Sequence, residues 1–172
     1  MKALLIVDMI HDFVDGKYGS EGAKIIVPKL AEKIEEFREK GDIVVYIKDS
    51  HELNDPELAV WGKHAIKNTW GSEIIEEIKP YHDDIVIEKN TYDGFLFTGL
   101  RDVLKSKNID EVYIAGVATD ICVLHTAFGA FARGFKVNVF EDLCSGTSID
   151  AHRWAIEYMK KIYGVNIING DA

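Results

Sequence analysis

Six short runs of mostly apolar residues, each leading into a polar or reactive side chain, alternate along this chain with stretches of helical periodicity. The runs cover 3–7, 43–48, 85–88, 112–116, 136–140 and 165–168. Helices are expected between them over 28–40, 98–107, 121–133 and 148–163. In the first of these, Pro28 suits an opening turn. Leu30, Ile34 and Phe37 share a face, and Gly41 follows as the stop. Apolar strands separated by helices predict a parallel sheet covered on both sides, an α/β fold in three α/β/α layers. A chain of 172 residues, 47% apolar, can build one such core, so residues 1–172 are expected to form a single domain.

Charge narrows the partners. The formal net charge is −9, from 29 acids against 20 bases, and no lysine or arginine block forms a basic patch. Binding to nucleic acid or to an anionic membrane surface needs clustered cations, so neither is expected. The apolar run at 3–7 is too short for a signal peptide or a membrane span, and a cytoplasmic protein is expected. Two cysteines, Cys122 and Cys144, are too few for a disulfide framework.

In parallel α/β sheets, ligands gather beyond the carboxyl ends of the strands. The residues there are Asp8, the stretch 49–51, Lys89, the stretch 118–122 and the stretch 141–144. Cys122 follows the fourth strand on entry to a helix, with Thr119 or Asp120 as candidate N-cap. There, free N–H groups and the helix dipole favour a thiolate and can stabilise an oxyanion. Asp8 can serve as proton acceptor, and Lys89 can keep that acid ionised and depress the thiol pKa. A nucleophile, a base and a cation at three strand ends make a catalytic set, although taken singly Asp8 reads as a solvated or capping acid, Lys89 as a strand-end lysine, and Cys122 has a packed thiol as its alternative. His125, one helical turn after Cys122, is a rival base.

The second strand ends in Asp49 and His51, whose side chains point the same way in an extended segment. His64 follows in a connection from 50 to 71 without clear periodicity. Such length in a compact domain signals function. Asp49, His51 and His64 form a three-ligand set that leaves positions open and suits Zn, Fe or Mn. The competing reading is three polar loop residues beside the acids Glu52, Asp55 and Glu57. His11, His82 and His152 show no ligand-like pairing, and Cys144 reads as packing.

These motifs together resemble the isochorismatase-like cysteine hydrolases, and within them the nicotinamidases. The run V-D-M-I-H-D-F at 7–13 is similar to the family's V-D-x-Q-N-D-F, with Ile10 and His11 replacing Gln and Asn. The D-S-H at 49–51 resembles its D-x-H pair. The W-G-K-H at 61–64 resembles W-P-x-H, and K-N-T-Y-D-G-F at 89–95 resembles K-x-x-Y-S-A-F. The G-V-A-T-D-I-C at 116–122 matches G-V-A-T-D-x-C. The resemblance implies a six-stranded parallel, Rossmann-like sheet and an Asp8, Lys89, Cys122 triad. It also implies a cis peptide between Val117 and Ala118, and an oxyanion hole from the Ala118 and Cys122 N–H groups. Asp49, His51 and His64 become metal ligands, Phe13 and Trp61 walls around a flat ring, and the chain a homo-oligomer with no organic cofactor.

The implied reaction is hydrolysis of a small-molecule amide to acid and ammonia through a thioester, with nicotinamide to nicotinate foremost. An N-carbamoylsarcosine-type amidohydrolase with the same triad is the alternative. A metal-bound water as nucleophile and a catalytically inactive binding domain are the remaining ones.

Overall fold

In the computed structural model, which describes residues 1–171, six strands form one parallel sheet ordered β3-β2-β1-β4-β5-β6. They are β1 (Ala3–Val7), β2 (Ile43–Asp49), β3 (Ile85–Lys89), β4 (Glu111–Val117), β5 (Lys136–Ser145) and β6 (Asn166–Ile168). The helices are α1 (His11–Val14), α2 (Glu21–Glu39), α3 (Leu58–Trp61), α4 (Leu100–Ser106), α5 (Leu124–Ala132) and α6 (Ile149–Ile162).

Period-two alternation sends β1 into both faces of the sheet. Ala3, Leu5 and Val7 pack with residues of α4, α5 and α6, while Leu4 and Ile6 pack with Ala23, Ile26, Leu30 and Ile34 of α2. Each face buries an apolar stripe, giving the expected three layers. Among the described residues, no helix is long and apolar enough to cross a membrane.

The register positions the site. Val7 stands level with Ile47 and Gly116, and Asp49 stands level with Lys89. Four strand ends therefore open on one crevice. The strand order reverses direction between β1 and β4, the switch point where ligands settle in such sheets. Gly116 makes the seam possible. Its φ is +122°, and a Cβ there would lie 2.1 Å from the Val7 carbonyl oxygen, so no other residue fits.

Several boundaries differ from expectation. The helix expected at 28–40 begins seven residues earlier, at Glu21. Ser20 caps it by accepting from the Ala23 N–H, and Pro28 lies inside it. Strand β5 runs on to Ser145, because a register shift between Ile114 and Gly116 lets it continue past Phe140. The helix expected over 121–133 is two elements, a π-turn (Thr119–Val123) followed by α5.

Candidate active site

Asp8 follows β1 in the left-handed region, φ +53°, a conformation that costs energy for a residue with a Cβ. Its backbone N–H donates to the Ile47 carbonyl at 2.8 Å. Its Oδ1 accepts from the Asp49 N–H at 2.9 Å, and its Oδ2 accepts from Lys89 Nζ at 2.9 Å. Lys89 also donates to the Asp49 carboxylate, to the Thr91 carbonyl at 2.9 Å and to Cys122 Sγ at 3.5 Å. One ammonium thus touches both acids and the thiol, all of them buried.

Burial lifts the Asp8 carboxyl to about pKa 6, helped by the Asp49 charge and opposed by Lys89. Burial works against the Lys89 charge, but Asp49 and Asp8 outweigh it and hold the ammonium protonated. The thiol departs from expectation. Burial, then the Asp8 charge, pushes Cys122 well above the ordinary cysteine value, and Lys89 only partly opposes them. Cys122 lies in the π-turn rather than in the first turn of an α-helix, and neither expected cap acts as one. Thr119 Oγ1 pairs with His152 Nδ1 at 2.6 Å, while the Asp120 carboxylate accepts from the Thr147 N–H and Oγ1 at 2.8 and 2.6 Å. The Val117–Ala118 peptide is cis. The rival base His125 is exposed, and its Nδ1 is bonded to the Ile121 carbonyl at 2.7 Å.

The second group of reactive atoms lies beside the first. Asp49, His51 and His64 come together with a fourth residue, Glu57, their donor atoms all within 4.8 Å of one another. Asp49 Oδ2, His51 Nε2 and Glu57 Oε2 are buried and turned on one another, with His51 Nε2 against Glu57 Oε2 and 3.5 Å from Asp49 Oδ2, a buried donor set that a cation at its centre would fit. Two imidazoles and two carboxylates fit a divalent metal. Burial disfavours a charged His51, but bonding to Asp49 and Glu57 raises it to about pKa 10. Burial likewise works against the Glu57 charge, while His51 and His64 hold that acid down to about 2.

The far side of each imidazole is also held. His51 Nδ1 meets Asp55 at 3.0 Å, and His64 Nδ1 meets the Gly62 carbonyl at 2.8 Å, the arrangement that orients metal-binding histidines. Asp12 accepts from the Ala65 N–H at 2.7 Å, next to His64. A Cβ at Gly71 would lie 2.2 Å from the Asp12 carboxylate. His11 stacks on Trp70 at 4.1 Å, and Ile10 is buried against Ile74 by a β-bridge.

Sequence reasoning missed Glu57 and Asp55 as site residues, placing both in an acidic stretch near the candidate ligands. The available signal was that both follow His51 within one connection already marked by its length.

A cavity of about 410 Å³ joins the two groups. Phe13 and Trp61 both line it, along with Cys122, Ala118, Asp49, Glu57, His64 and Tyr92. Trp61 is tied across the opening by its Nε1–H to the Tyr92 hydroxyl at 3.0 Å and by its carbonyl to the Tyr18 hydroxyl. Cys144 lies apart from the cavity lining, buried and pushed up to about pKa 12 by desolvation.

Residues 2–170 match the Isochorismatase domain family. The N-carbamoylsarcosine amidase of Thermoplasma acidophilum superposes with a TM-score of 0.95 at 38% identity, covering 99% of this chain and 97% of that one. The pyrazinamidase of Pyrococcus horikoshii, solved in complex with zinc, gives 0.90 at 33%, covering 98% of each chain. The nicotinamidase/pyrazinamidase of Bacillus subtilis gives 0.92 at 30%, covering 98% of this chain and 99% of that one.

Proposed function

The chain belongs to the isochorismatase family, and from that premise we propose that it is a cysteine-dependent amidohydrolase releasing ammonia from a small amide. The observation that carries this reading is the single Lys89 ammonium touching Asp8, Asp49 and Cys122 beneath one cavity. Nicotinamide to nicotinate is the first reaction to assay, supported by the Asp49, His51, Glu57 and His64 set and by the nicotinamidase and pyrazinamidase neighbours.

In this mechanism Cys122 rests as a thiol, its proton held by burial. Asp8 takes that proton as sulfur attacks the carboxamide carbon, and the oxyanion forms against the Ala118 and Cys122 N–H groups. Asp8 returns the proton to the departing ammonia, leaving a thioester. Water, deprotonated by Asp8, then releases the acid and restores the thiol. Lys89 keeps Asp8 charged between these transfers. A bound Zn, Fe or Mn would supply Lewis acidity and orientation for a substrate heteroatom, held by Asp49, His51, Glu57 and His64. Phe13 and Trp61 flank the substrate.

A second reading, an amidohydrolase for N-carbamoyl compounds with the same triad, is favoured by the 38% identity to the Thermoplasma enzyme. We further propose that residues 1–172 act as one domain, in the cytoplasm, as a homo-oligomer. Phe128 and Phe131, both exposed and packed on Tyr163, support the last point, and light scattering tests it.

The deciding experiment is ammonia release from nicotinamide, with metal supplied, by wild type and by Cys122→Ala. Release that disappears in the variant supports the thiol mechanism. Release that persists assigns the attack to a metal-bound water, and silence in the wild type sends the search to N-carbamoyl substrates.

A further inference from the structure

The turn that carries Cys122 is tied down by the segment that opens α6. Ala118, Thr119 and Asp120 are each fixed by a different group. The Ala118 carbonyl accepts from the Ile121 and Val123 N–H groups at 3.0 and 3.1 Å. The Thr119 side chain is fully buried and its hydroxyl meets His152 Nδ1 at 2.6 Å, while the Asp120 carboxylate holds Thr147. Thr147 and His152 stand on one stretch of chain. Ser145, Gly146 and Thr147 line the cavity over the thiol, and His152 follows in the first turn of α6, whose start is capped by Ser148. Gly146 lets that stretch close on the turn. A Cβ there would lie 2.9 Å from the His152 Cβ and 3.0 Å from Asp120 Oδ1.

His152 is half-buried. Desolvation moves its pKa below the ordinary histidine value, with Glu141 and Asp120 opposing and Arg153 assisting. The ring is therefore neutral at pH 7, and one of its nitrogens can accept. With the proton on Nε2, Nδ1 accepts from the Thr119 hydroxyl. Thr119 lies one residue after Ala118 and three before Cys122, the two residues whose N–H groups face the oxyanion in the proposed mechanism. Oxyanion donors act by being aimed in advance, and a small displacement forfeits much of their effect. We infer that His152 is a positioning residue: bonded to Thr119 Oγ1 from the first turn of α6, it fixes the turn that presents the thiol and the Ala118 and Cys122 N–H groups to the substrate. The inference rests on the amidohydrolase reading and adds a member to its machinery. The competing role is that His152 only packs α6 against the turn, which changes stability and leaves the chemistry alone.

The test compares wild type with His152→Ala, His152→Asn, Thr119→Val and the double variant His152→Ala/Thr119→Val. Rates are taken on nicotinamide or N-carbamoylsarcosine, whichever the wild type hydrolyses, with metal supplied. Alkylation of Cys122 by iodoacetamide is followed in parallel, resolved from Cys144 by peptide mass. A bond that serves the transition state alone lowers kcat and leaves KM. His152→Ala is expected to lose about tenfold in kcat, the upper end of what one net hydrogen bond supplies, with KM within about twofold. Asn places an amide oxygen where Nδ1 stood, and His152→Asn recovers most of the rate. Thr119→Val matches His152→Ala, and the double variant loses no more than either, since both remove one bond. The less firmly held thiol is alkylated faster in all three, because burial is what holds its proton. An unchanged kcat in His152→Ala, a loss carried by KM, no recovery in His152→Asn, or losses that multiply in the double variant overturns the proposal and leaves the amidohydrolase reading standing. If thermal melting finds His152→Ala unfolded, His152→Gln, whose amide reaches past the Nδ1 position, takes its place. If the wild type turns over neither compound, the amidohydrolase reading fails for these substrates and alkylation decides. Equal acceleration in His152→Ala, Thr119→Val and the double variant then keeps the positioning role, and any other pattern overturns it.

Discussion

The two halves of the site are built by different means. Asp8 and Lys89 stand at the ends of β1 and β3, where sheet register sets their positions to within a residue, and Cys122 follows β4 in the π-turn. Asp49 shares that origin, but His51, Glu57 and His64 come from the connection between β2 and β3, whose regular structure among the described residues is α3, two 3-10 turns and a bridge from His51 to Ile66. That connection is held by side-chain bonds, Asp12 to Ala65 and Asp55 to His51, together with backbone bonds from the His51 N–H to the Ala65 carbonyl at 2.8 Å and from the Lys67 N–H to the His51 carbonyl at 2.9 Å. In the strand-end half, β1 and β4 have backbone ladders on both sides and β3, an edge strand, has one. The loop half depends on those bonds for its geometry. Lys89 joins them, because it neutralises an acid from each.

That contrast can be broken most severely at the joint. Lys89→Met leaves Asp8 and Asp49 facing each other in the interior. It is expected to cost about 3–5 kcal/mol, the usual consequence of removing one partner from a buried ion pair, and to abolish turnover. Urea denaturation checks the first expectation and ammonia release the second; wild-type stability in the variant means the two acids already share a proton. On the loop side, Glu57→Ala is expected to lower zinc affinity about 100-fold, and Asp55→Asn about 10-fold by loosening His51. Competition with a chromophoric chelator measures both, and equal affinities in all three proteins would remove Glu57 from the ligand set.

On the strand side, the pH profile reports Asp8. The free carboxylate is the base, and burial raises its pKa to about 6. Below that value kcat/KM is expected to fall tenfold per pH unit, and above it to level off. A limb near pH 4, the ordinary carboxylate range, means that Asp8 is not the group that titrates. The smallest effect is expected at His125, exposed and turned to the Ile121 carbonyl. His125→Ala should leave kcat/KM within about twofold, since the ring is exposed and its one ring contact is with Tyr92 at 5.4 Å, and a larger loss restores it as a base.

The same contrast separates what sequence shows from what it hides. Asp8, Asp49, Lys89 and Cys122 are legible because each follows an apolar run, and in parallel sheets the ends of such runs converge. His51 is legible through its two-residue spacing from Asp49. Glu57 has no such rule. It sits among Glu52, Asp55 and Pro56, where an inward acid and a solvated one have the same local composition. The early start of α2 was hidden by Pro28, which normally marks a first turn but here occupies the interior. The direction of the Cys122 shift was hidden because local helix electrostatics are visible in sequence, whereas full desolvation beside two acids is a tertiary fact.

Strand order also has a consequence for assembly in time. β1 lies in the middle of the sheet, β2 and β3 build outward on one side, and β4 to β6 then build outward on the other. As a chain lengthens from its N-terminus, Asp8, the metal-binding residues and Lys89 are all present before β4 is made. The crevice closes only when β4 pairs with β1 through the Gly116 approach to Val7. The nucleophile therefore reaches its base last, delivered by the strand that completes the seam.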